Sequence, residues 1–340
     1  MTNLVSRKRV AVVTGGAGFI GSHMVDLLLE RNYEVRVIDN LSGGHERNLI
    51  HHSGHNGLSF TNQDVNAIEP DDTAFAGADY VFHFAGIGDI VPSIDRPIAY
   101  MQTNVQGTVR VLEAARNHGV KKLVYAASSS CYGLADTPTR EDHPIRPHYP
   151  YALSKFQGEQ AAIHWQNVYG LPVNSIRIFN AYGTRVRTTG VYGAVFGVFF
   201  KQKLSGKPYT VVGDGTQMRD FLYVTDVASA FLAAAETDRV GEIYNLGAGA
   251  PQSINRLIEL LGGTVVQLPK RPGEPDCTWA DITKITTQLG WKPEVSFPEG
   301  VSRMMAEIEN WKDAPLWDPQ SIHEATKTWF RYMTPKEAAR

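Results

Sequence analysis

The sequence predicts an α/β protein, a doubly wound parallel sheet with a smaller C-terminal α/β unit. Three observations predict it. Short β-branched runs alternate with helical patterns over the first 180 residues, as a parallel sheet with helical crossovers requires. The first run ends in a glycine-rich turn that opens directly into a helical pattern. Beyond residue 180 the alternation loosens into loops, short strands and helices.

The first strand is Val10-Ala11-Val12-Val13-Thr14, stopped by Gly15-Gly16-Ala17-Gly18-Phe19-Ile20-Gly21 and followed by Met24, Val25, Leu27, Leu28 and Leu29. Glycines 16, 18 and 21 satisfy G-x-G-x-x-G, and 15, 18 and 21 satisfy G-x-x-G-x-x-G. Either spacing lets backbone N–H groups and a helix N-terminus approach a pyrophosphate. A second strand, Tyr33 to Ile38, ends in Asp39, eighteen positions after Gly21. A carboxylate there accepts hydrogen bonds from an adenosine ribose and repels a 2′-phosphate, which favours NAD over NADP. The competing reading is a turn aspartate before Asn40. Arg36 lies on the strand and does not read as a phosphate ligand.

Residues 42–57 are rich in Gly, Ser, Asn and His. His51, His52 and His55 are candidate metal ligands, but no carboxylate or cysteine set accompanies them, so an exposed loop is preferred and no metal is expected. Leu58–Phe60 reads as a short strand, with Asp64-Val65 after it. Asp79 to Gly86 is a buried strand ending in small residues, where a cofactor approaches backbone. A helix is expected from Pro97 to His118, with Asn104 polar among Val105, Val109, Val111 and Leu112. The strand Lys122–Ala127 delivers Ser128-Ser129-Ser130 at its C-terminal end, where open α/β sheets put their ligands.

Tyr151 and Lys155 stand four positions apart on the next helix and share one face. A positive charge beside a phenol favours the phenolate, moving a pKa near ten towards the range of a general base. Chance also produces such pairs on solvated helices.

Composition sets outer bounds. With 43% hydrophobic and 20% charged residues among 340, the chain reads as soluble and globular. A net charge of −2 supplies no case for a nucleic-acid or anionic-membrane partner. Two distant cysteines, Cys131 and Cys277, make neither a disulfide framework nor a metal set, so a reducing cytoplasm is expected. No signal-peptide pattern or membrane-length apolar run is read.

With the glycine turn, Ser128, Tyr151 and Lys155 in this order, the chain resembles the extended short-chain dehydrogenase/reductase superfamily. It is most similar to the nucleotide-sugar epimerases and dehydratases. Further matching motifs are His83-Phe84-Ala85-Gly86, Asn104, Cys131-Tyr132-Gly133, Arg177-Ile178-Phe179-Asn180, Gly213-Asp214-Gly215, Arg219-Asp220-Phe221, Asn245-Leu246-Gly247 and Arg271-Pro272-Gly273. The resemblance implies a Rossmann domain over residues 1–180, rejoined by about 221–248, then a nucleotide-sugar domain mainly over 181–313 and a helical extension over 314–340. It implies Tyr151 as acid/base, Lys155 on the nicotinamide ribose, and Ser128 on the reacting hydroxyl. Implied NAD contacts are Gly15, Gly18, Phe19, Ile20, Gly21, Asp39, Asn40, Asp64, Val65, Phe84, Ala85, Gly86, Asn104, Tyr151 and Lys155. Implied substrate contacts are Gly88, Ser128, Ser129, Ser130, Tyr151, Asn180, Arg187, Val212, Arg219, Arg271 and Thr278, with the two arginines on the diphosphate. Tyr182-Gly183 and Gly190–Gly197 are expected to shape the sugar pocket. A homodimer through a four-helix bundle of about 97–118 and 151–169 is also implied.

Dehydratases of this family carry an Asp-Glu pair after the catalytic Ser/Thr, and the related decarboxylases a Glu two positions on. This chain has Ser129 and Ser130. The simplest remaining reaction is oxidation at C4, turnover of the keto sugar, and return of hydride to the opposite face, a 4-epimerase acting on a UDP-sugar. Thr278 stands at the gate that is Tyr in galactose epimerases, which together with the Gly88–Ser93 stretch makes N-acetylhexosamines admissible. The alternatives are a dehydratase or 4-keto reductase and, in a different class, a non-catalytic NAD sensor. Past Gly300 a helix through Trp311 and a last amphipathic segment with Ile322, Ala325, Trp329, Phe330 and Met333 read as packing elements.

Overall fold

The computed structural model describes residues 7–188 and 195–334. β1 (Val10–Thr14) leads through the glycine turn into α1 (Phe19–Glu30), followed by β2 (Glu34–Asp39), β3 (Leu58–Asn62) and β4 (Tyr80–His83). β3 runs two residues past the expected Phe60, because its pairing with β2 continues to Asp39 opposite Asn62. The expected helix over 97–118 is α2 (Pro97–Met101) and α3 (Thr108–Asn117) joined by a π-helical stretch, Gln102–Gly107. β5 (Lys122–Ser128), α4 (Pro150–Tyr169) and β6 (Val173–Ile178) come next. α4 starts on a proline, whose missing N–H costs nothing there, and stops at Gly170 in the left-handed region.

The chain then forms β7 (Asn180–Tyr182), α5 (Val195–Leu204), β8 (Tyr209–Val212), β9 (Met218–Arg219), β10 (Phe221–Tyr223), α6 (Val224–Glu236) and β11 (Ile243–Leu246). β12 (Gln252–Ser253), α7 (Ile254–Leu261), β13 (Val265–Leu268), α8 (Thr283–Leu289), α9 (Phe297–Ala306) and α10 (Pro319–Met333) follow. No helix among the described residues is long and apolar enough to cross a membrane.

Seven parallel strands form one sheet in the order β11-β6-β5-β4-β1-β2-β3. Every residue of β1, β5 and β6 is buried, which is why β1 reads as a continuous apolar run, while β6 buries Asn174, Ser175 and Arg177 on hydrogen-bond partners. α1 and α6 cover one face through Met24, Val25, Leu28, Val227, Phe231 and Ala234. α3 and α4 cover the other through Val111, Leu112, Ala115 and Ala162. Strand order reverses between β1 and β4, so the crevice beyond Thr14 and His83 is the topological switch point. A second core, aromatic in character, gathers Tyr182, Phe196, Phe199, Phe200, Phe221, Phe297 and Trp311. It is flanked by three two-stranded pairs, β7 with β10, β9 with β12, and β8 with β13.

Two buried polar ties fix the sheet to its helices. His83 Nδ1 lies 2.6 Å from Thr14 Oγ1 and Nε2 lies 3.0 Å from Thr108 Oγ1, joining β4, β1 and α3. Burial, aided by the Lys155 charge, pushes that imidazole down to about 3, so it sits neutral. On α4, Glu159 accepts from Arg177 Nη2 at 2.7 Å, Arg177 Nε at 3.0 Å and Ser175 Oγ at 3.0 Å, both partners lying on β6.

Candidate active site

The glycine turn is shaped by what a side chain would strike. A Cβ on Gly15, whose φ is +70°, would stand 2.7 Å from Ala85 N, so the loop after β4 packs directly on the turn. On Gly21 a Cβ would stand 2.1 Å from Gly15 O. Gly18 begins α1 without a side-chain cap, leaving the first-turn N–H groups around Phe19 and Ile20 for an anion. Asp39 accepts from Ala17 N at 3.0 Å and from Leu41 N at 2.8 Å. It is therefore a turn aspartate, yet each oxygen keeps a second lone pair that a ribose hydroxyl can use. Asn40 donates to Asp64 Oδ2 at 2.8 Å, and Asp64 caps the short turn at Val65 by accepting from Asn66 N. Arg36 is spent on Glu34, Ala74 O and Ala76 O.

Beyond β4, Phe84 packs on Phe231 with ring centroids 4.6 Å apart. A Cβ on Gly86 would meet Asn104 Oδ1 at 2.9 Å and Lys155 Nζ at 3.7 Å, which puts this loop between the π-helical stretch and α4. Asn104 Oδ1 accepts from Ile87 N at 2.8 Å, while its amide donates to Ile87 O at 3.1 Å and Ser154 Oγ at 3.0 Å. Both its N–H groups are thus engaged in holding the Phe84–Gly88 loop to α4.

The structure brings Ser128, Tyr151 and Lys155 together. Ser128 ends β5, accepts from Ser130 N at 3.2 Å, and lies near enough to the Tyr151 phenol to lower its pKa. Lys155, only 7% exposed, lies over the Tyr125 ring at 4.6 Å. Tyr151 lies parallel to Tyr149 at 6.5 Å and edge-on to Tyr100 at 6.4 Å. The expected direction of the Tyr151 shift is overturned. Burial raises its pKa, the Ser128 hydroxyl pulls it back, and Asp89 raises it again. Burial outweighs the pull of Ser128, and Lys155 itself is pushed down to about 8 against the pull of Glu159.

On the far side of the crevice Thr278 Oγ1 donates to Asn180 Oδ1 at 2.6 Å. Val212 and Arg219 line a cavity of about 310 Å³ with Lys270 and Glu274. Arg219 donates to Met218 O and Pro275 O at 2.8 and 3.0 Å, and Arg271 Nε faces Glu274 Oε1 at 3.2 Å. Arg187 pairs with Asp89 at 3.4 Å, one residue from Gly88. Ser129 and Ser130 form the 3-10 turn after Ser128, and Ser130 lies near enough to Tyr149 to offset part of the burial that pushes its phenol up. Of the expected pocket segment Gly190–Gly197, residues 190–194 lie outside the described residues.

The histidine loop departs from expectation, for a carboxylate does accompany it. Asp26 Oδ1, from α1, lies 2.9 Å from His51 Nε2 and 2.8 Å from His52 Nε2. Sequence distance hid this contact. Asp26 Oδ2 is held at 2.7 Å by Arg185, so the guanidinium already balances the carboxylate. Cys131 is buried and its thiol is pushed up to about 12, which removes it as a nucleophile.

Two residues at the site were not read from the sequence, Tyr149 and Glu274, and two, Asp89 and Trp329, were read without a role there. Glu274 had a signal, a carboxylate three positions after Arg271, and Tyr149 a weak one in His148-Tyr149-Pro150-Tyr151. Asp89 was read only as part of the Gly88–Ser93 stretch, and Trp329 only as a packing residue of the last amphipathic segment.

The model of the NAD dependent epimerase/dehydratase family matches residues 11–247. A UDP-glucose 4-epimerase of Mycolicibacterium smegmatis is 35% identical over 310 residues, covering 88% of this chain and 98% of its own. The structure of UDP-N-acetylglucosamine 4-epimerase from Methanobrevibacter ruminantium in complex with UDP-N-acetylmuramic acid gives a TM-score of 0.83 at 32% identity, over 89% of this chain and 100% of that one. UDP-glucuronic acid 4-epimerase from Bacillus cereus, in complex with UDP-glucuronic acid and NAD, gives 0.81 at 31% identity over 88% and 99%.

Proposed function

The chain belongs to the NAD-dependent epimerase/dehydratase family and is an NAD-using enzyme, and on that premise we propose that it is a UDP-sugar 4-epimerase. The observation that carries this reading is Ser128 close enough to the Tyr151 phenol to lower its pKa, with Tyr151 on the same helix as a buried Lys155 and serines rather than carboxylates at 129 and 130. In this reading NAD lies along residues 1–180 and 221–248, the nucleotide sugar along 181–313, and 314–340 is an extension.

The uncapped N-terminus of α1 and the side-chain-free turn from Gly15 to Gly21 fit a pyrophosphate, and Asp39 has lone pairs left for the adenosine ribose. When bound there, NAD would supply the hydride acceptor for the sugar's C4 and the hydride for its return. Tyr151 takes the proton from the C4 hydroxyl at its phenolic oxygen and later returns it, while Ser128 holds that hydroxyl in line. Lys155, dry and pushed down to about 8, holds the nicotinamide ribose and stabilises the phenolate as it forms. Arg219 and Arg271 take the diphosphate, with Glu274 holding Arg271 in place beforehand. Because Thr278 is small and tied back to Asn180, an N-acetyl group is admitted, and UDP-N-acetylhexosamines are the favoured substrates.

A cytoplasmic homodimer completes the reading. Ile98 on α2 and Leu153 and Val168 on α4 are exposed apolar side chains on the two helices that would meet their copies in a four-helix bundle.

The test is incubation with UDP-glucose, UDP-N-acetylglucosamine and UDP-glucuronic acid, followed by proton NMR. The expected outcome is the 4-epimer of the acetylated sugar without net consumption of NAD. Loss of water from the product would mark a dehydratase, net cofactor consumption a reductase, and NAD binding with no turnover a sensor.

A further inference from the structure

We propose that α10 is a working part of the nucleotide-sugar site, with Trp329 as the positioning residue that sets the Tyr149–Tyr151 wall against the loop carrying Arg271. The inference rests on the nucleotide-sugar reading above and deepens it.

α10 opens with a reciprocal cap between Asp318 and Ser321 and buries Ile322, Thr326 and Trp329, one stripe at helical spacing. Most of its other residues are exposed or half-exposed, but Trp329 is only 2% exposed, so its indole is driven into the body of the protein. That indole touches two things. Its ring packs on Tyr149, with centroids 5.3 Å apart and planes tilted by 53°. Its Nε1 donates to Pro272 O at 3.1 Å.

Both partners adjoin the proposed chemistry. Tyr149 runs parallel to Tyr151 with ring centroids 6.5 Å apart and lies near Ser130, two residues past Ser128, so a shift of Tyr149 is felt by the catalytic phenol. Pro272 follows Arg271, whose guanidinium faces Glu274. The next residue, Gly273, has φ +76°, and a Cβ there would stand 3.1 Å from Met333 Cε, so the last turn of α10 lies directly on this loop. One side chain therefore fixes the spacing between the wall beside the sugar and the loop beside the diphosphate. Ordering that loop in advance lowers the entropy lost when a nucleotide binds.

The two contacts are separable. Trp329→Phe keeps a ring against Tyr149 and removes the N–H to Pro272, whereas Trp329→Ala removes both. With the full chain and UDP as the calorimetric probe, Trp329→Phe is expected to weaken UDP binding about five- to tenfold, because the freed Arg271–Gly273 loop must be ordered on binding, with NAD affinity unchanged and the thermal midpoint slightly lowered by the lost buried hydrogen bond. Trp329→Ala is expected to lose UDP affinity further and also to lower kcat on the sugar the wild type turns over. UDP affinity at the wild-type level in both variants, with or without a lower thermal midpoint, overturns the inference and leaves α10 a packing helix. Failure of the wild type to bind UDP at all overturns the nucleotide-sugar reading itself, so the two failures are told apart.

Discussion

At Tyr151 the site works against the phenol's ionisation rather than for it, since burial holds the proton on. Removing the hydroxyl removes the proton path while leaving the ring between Tyr149 and Tyr100. Tyr151→Phe should therefore lower turnover by about 10²- to 10⁴-fold with unchanged NAD affinity, measured by NMR turnover and by titration with NAD. Near-normal turnover would end the assignment. Gly21 makes a second point at this scale. Its missing Cβ would collide with Gly15 O, a backbone atom that cannot swing aside, so Gly21→Ala should cost about 1–3 kcal/mol in urea unfolding and weaken NAD binding at least tenfold. Ser128, Tyr151, Lys155 and the glycines were legible because short spacings place them on the elements that carry them. The sign of the Tyr151 shift was not, because desolvation belongs to the assembled fold and no spacing encodes it. The same holds for Asp26 with His51 and His52, which meet only when the loop folds over α1.

Among the elements, α4 carries Tyr151 and Lys155 and is anchored to β6 by Glu159 and Arg177. Cutting one partner leaves a buried charge unpaired, so Glu159→Gln should destabilise by about 3–5 kcal/mol, and the joint Glu159→Met, Arg177→Met change by clearly less. Equal losses in the single and double variants, measured by urea unfolding, would refute a pairing role. β4 offers a test with a sign. The folded pKa of His83 lies well below the unfolded value near 6.5, so its contribution to stability is complete above pH 6.5 and is lost as pH falls towards 3. Between pH 6 and 4 the wild type should lose about 1.4 kcal/mol more per pH unit than His83→Gln. Parallel pH profiles would show that His83 is not buried neutral. Element types were readable from period and punctuation. The π-helical break inside the 97–118 helix was not, since Asn104 reaches both Ile87 and Ser154 there, a contact between distant segments.

For the whole molecule, the seventh strand of the sheet comes from Ile243–Leu246, and α6 shares one apolar core with α1. A fragment of residues 1–180 should therefore fail to form a cooperative fold or bind NAD, whereas the full chain does both; a cooperative melt with NAD binding by the fragment would disprove this. The sequence pattern marked the alternation of the first half clearly. It marked the second half poorly, because that part is held by aromatic packing among short elements rather than by a periodic face.

The placement of β11 also sets a schedule. β6 must wait for about 70 further residues before its outer neighbour exists, and α1 waits about 200 for α6. At synthesis rates of roughly 5–20 residues per second, β6 stands as an open edge for several seconds on the emerging chain. An unpaired strand edge, with its free N–H and C=O groups, is a template for any other strand that reaches it. The protein therefore meets its greatest danger of misassociation while still unfinished on the ribosome, and its yield in the cell depends on how that interval is shielded.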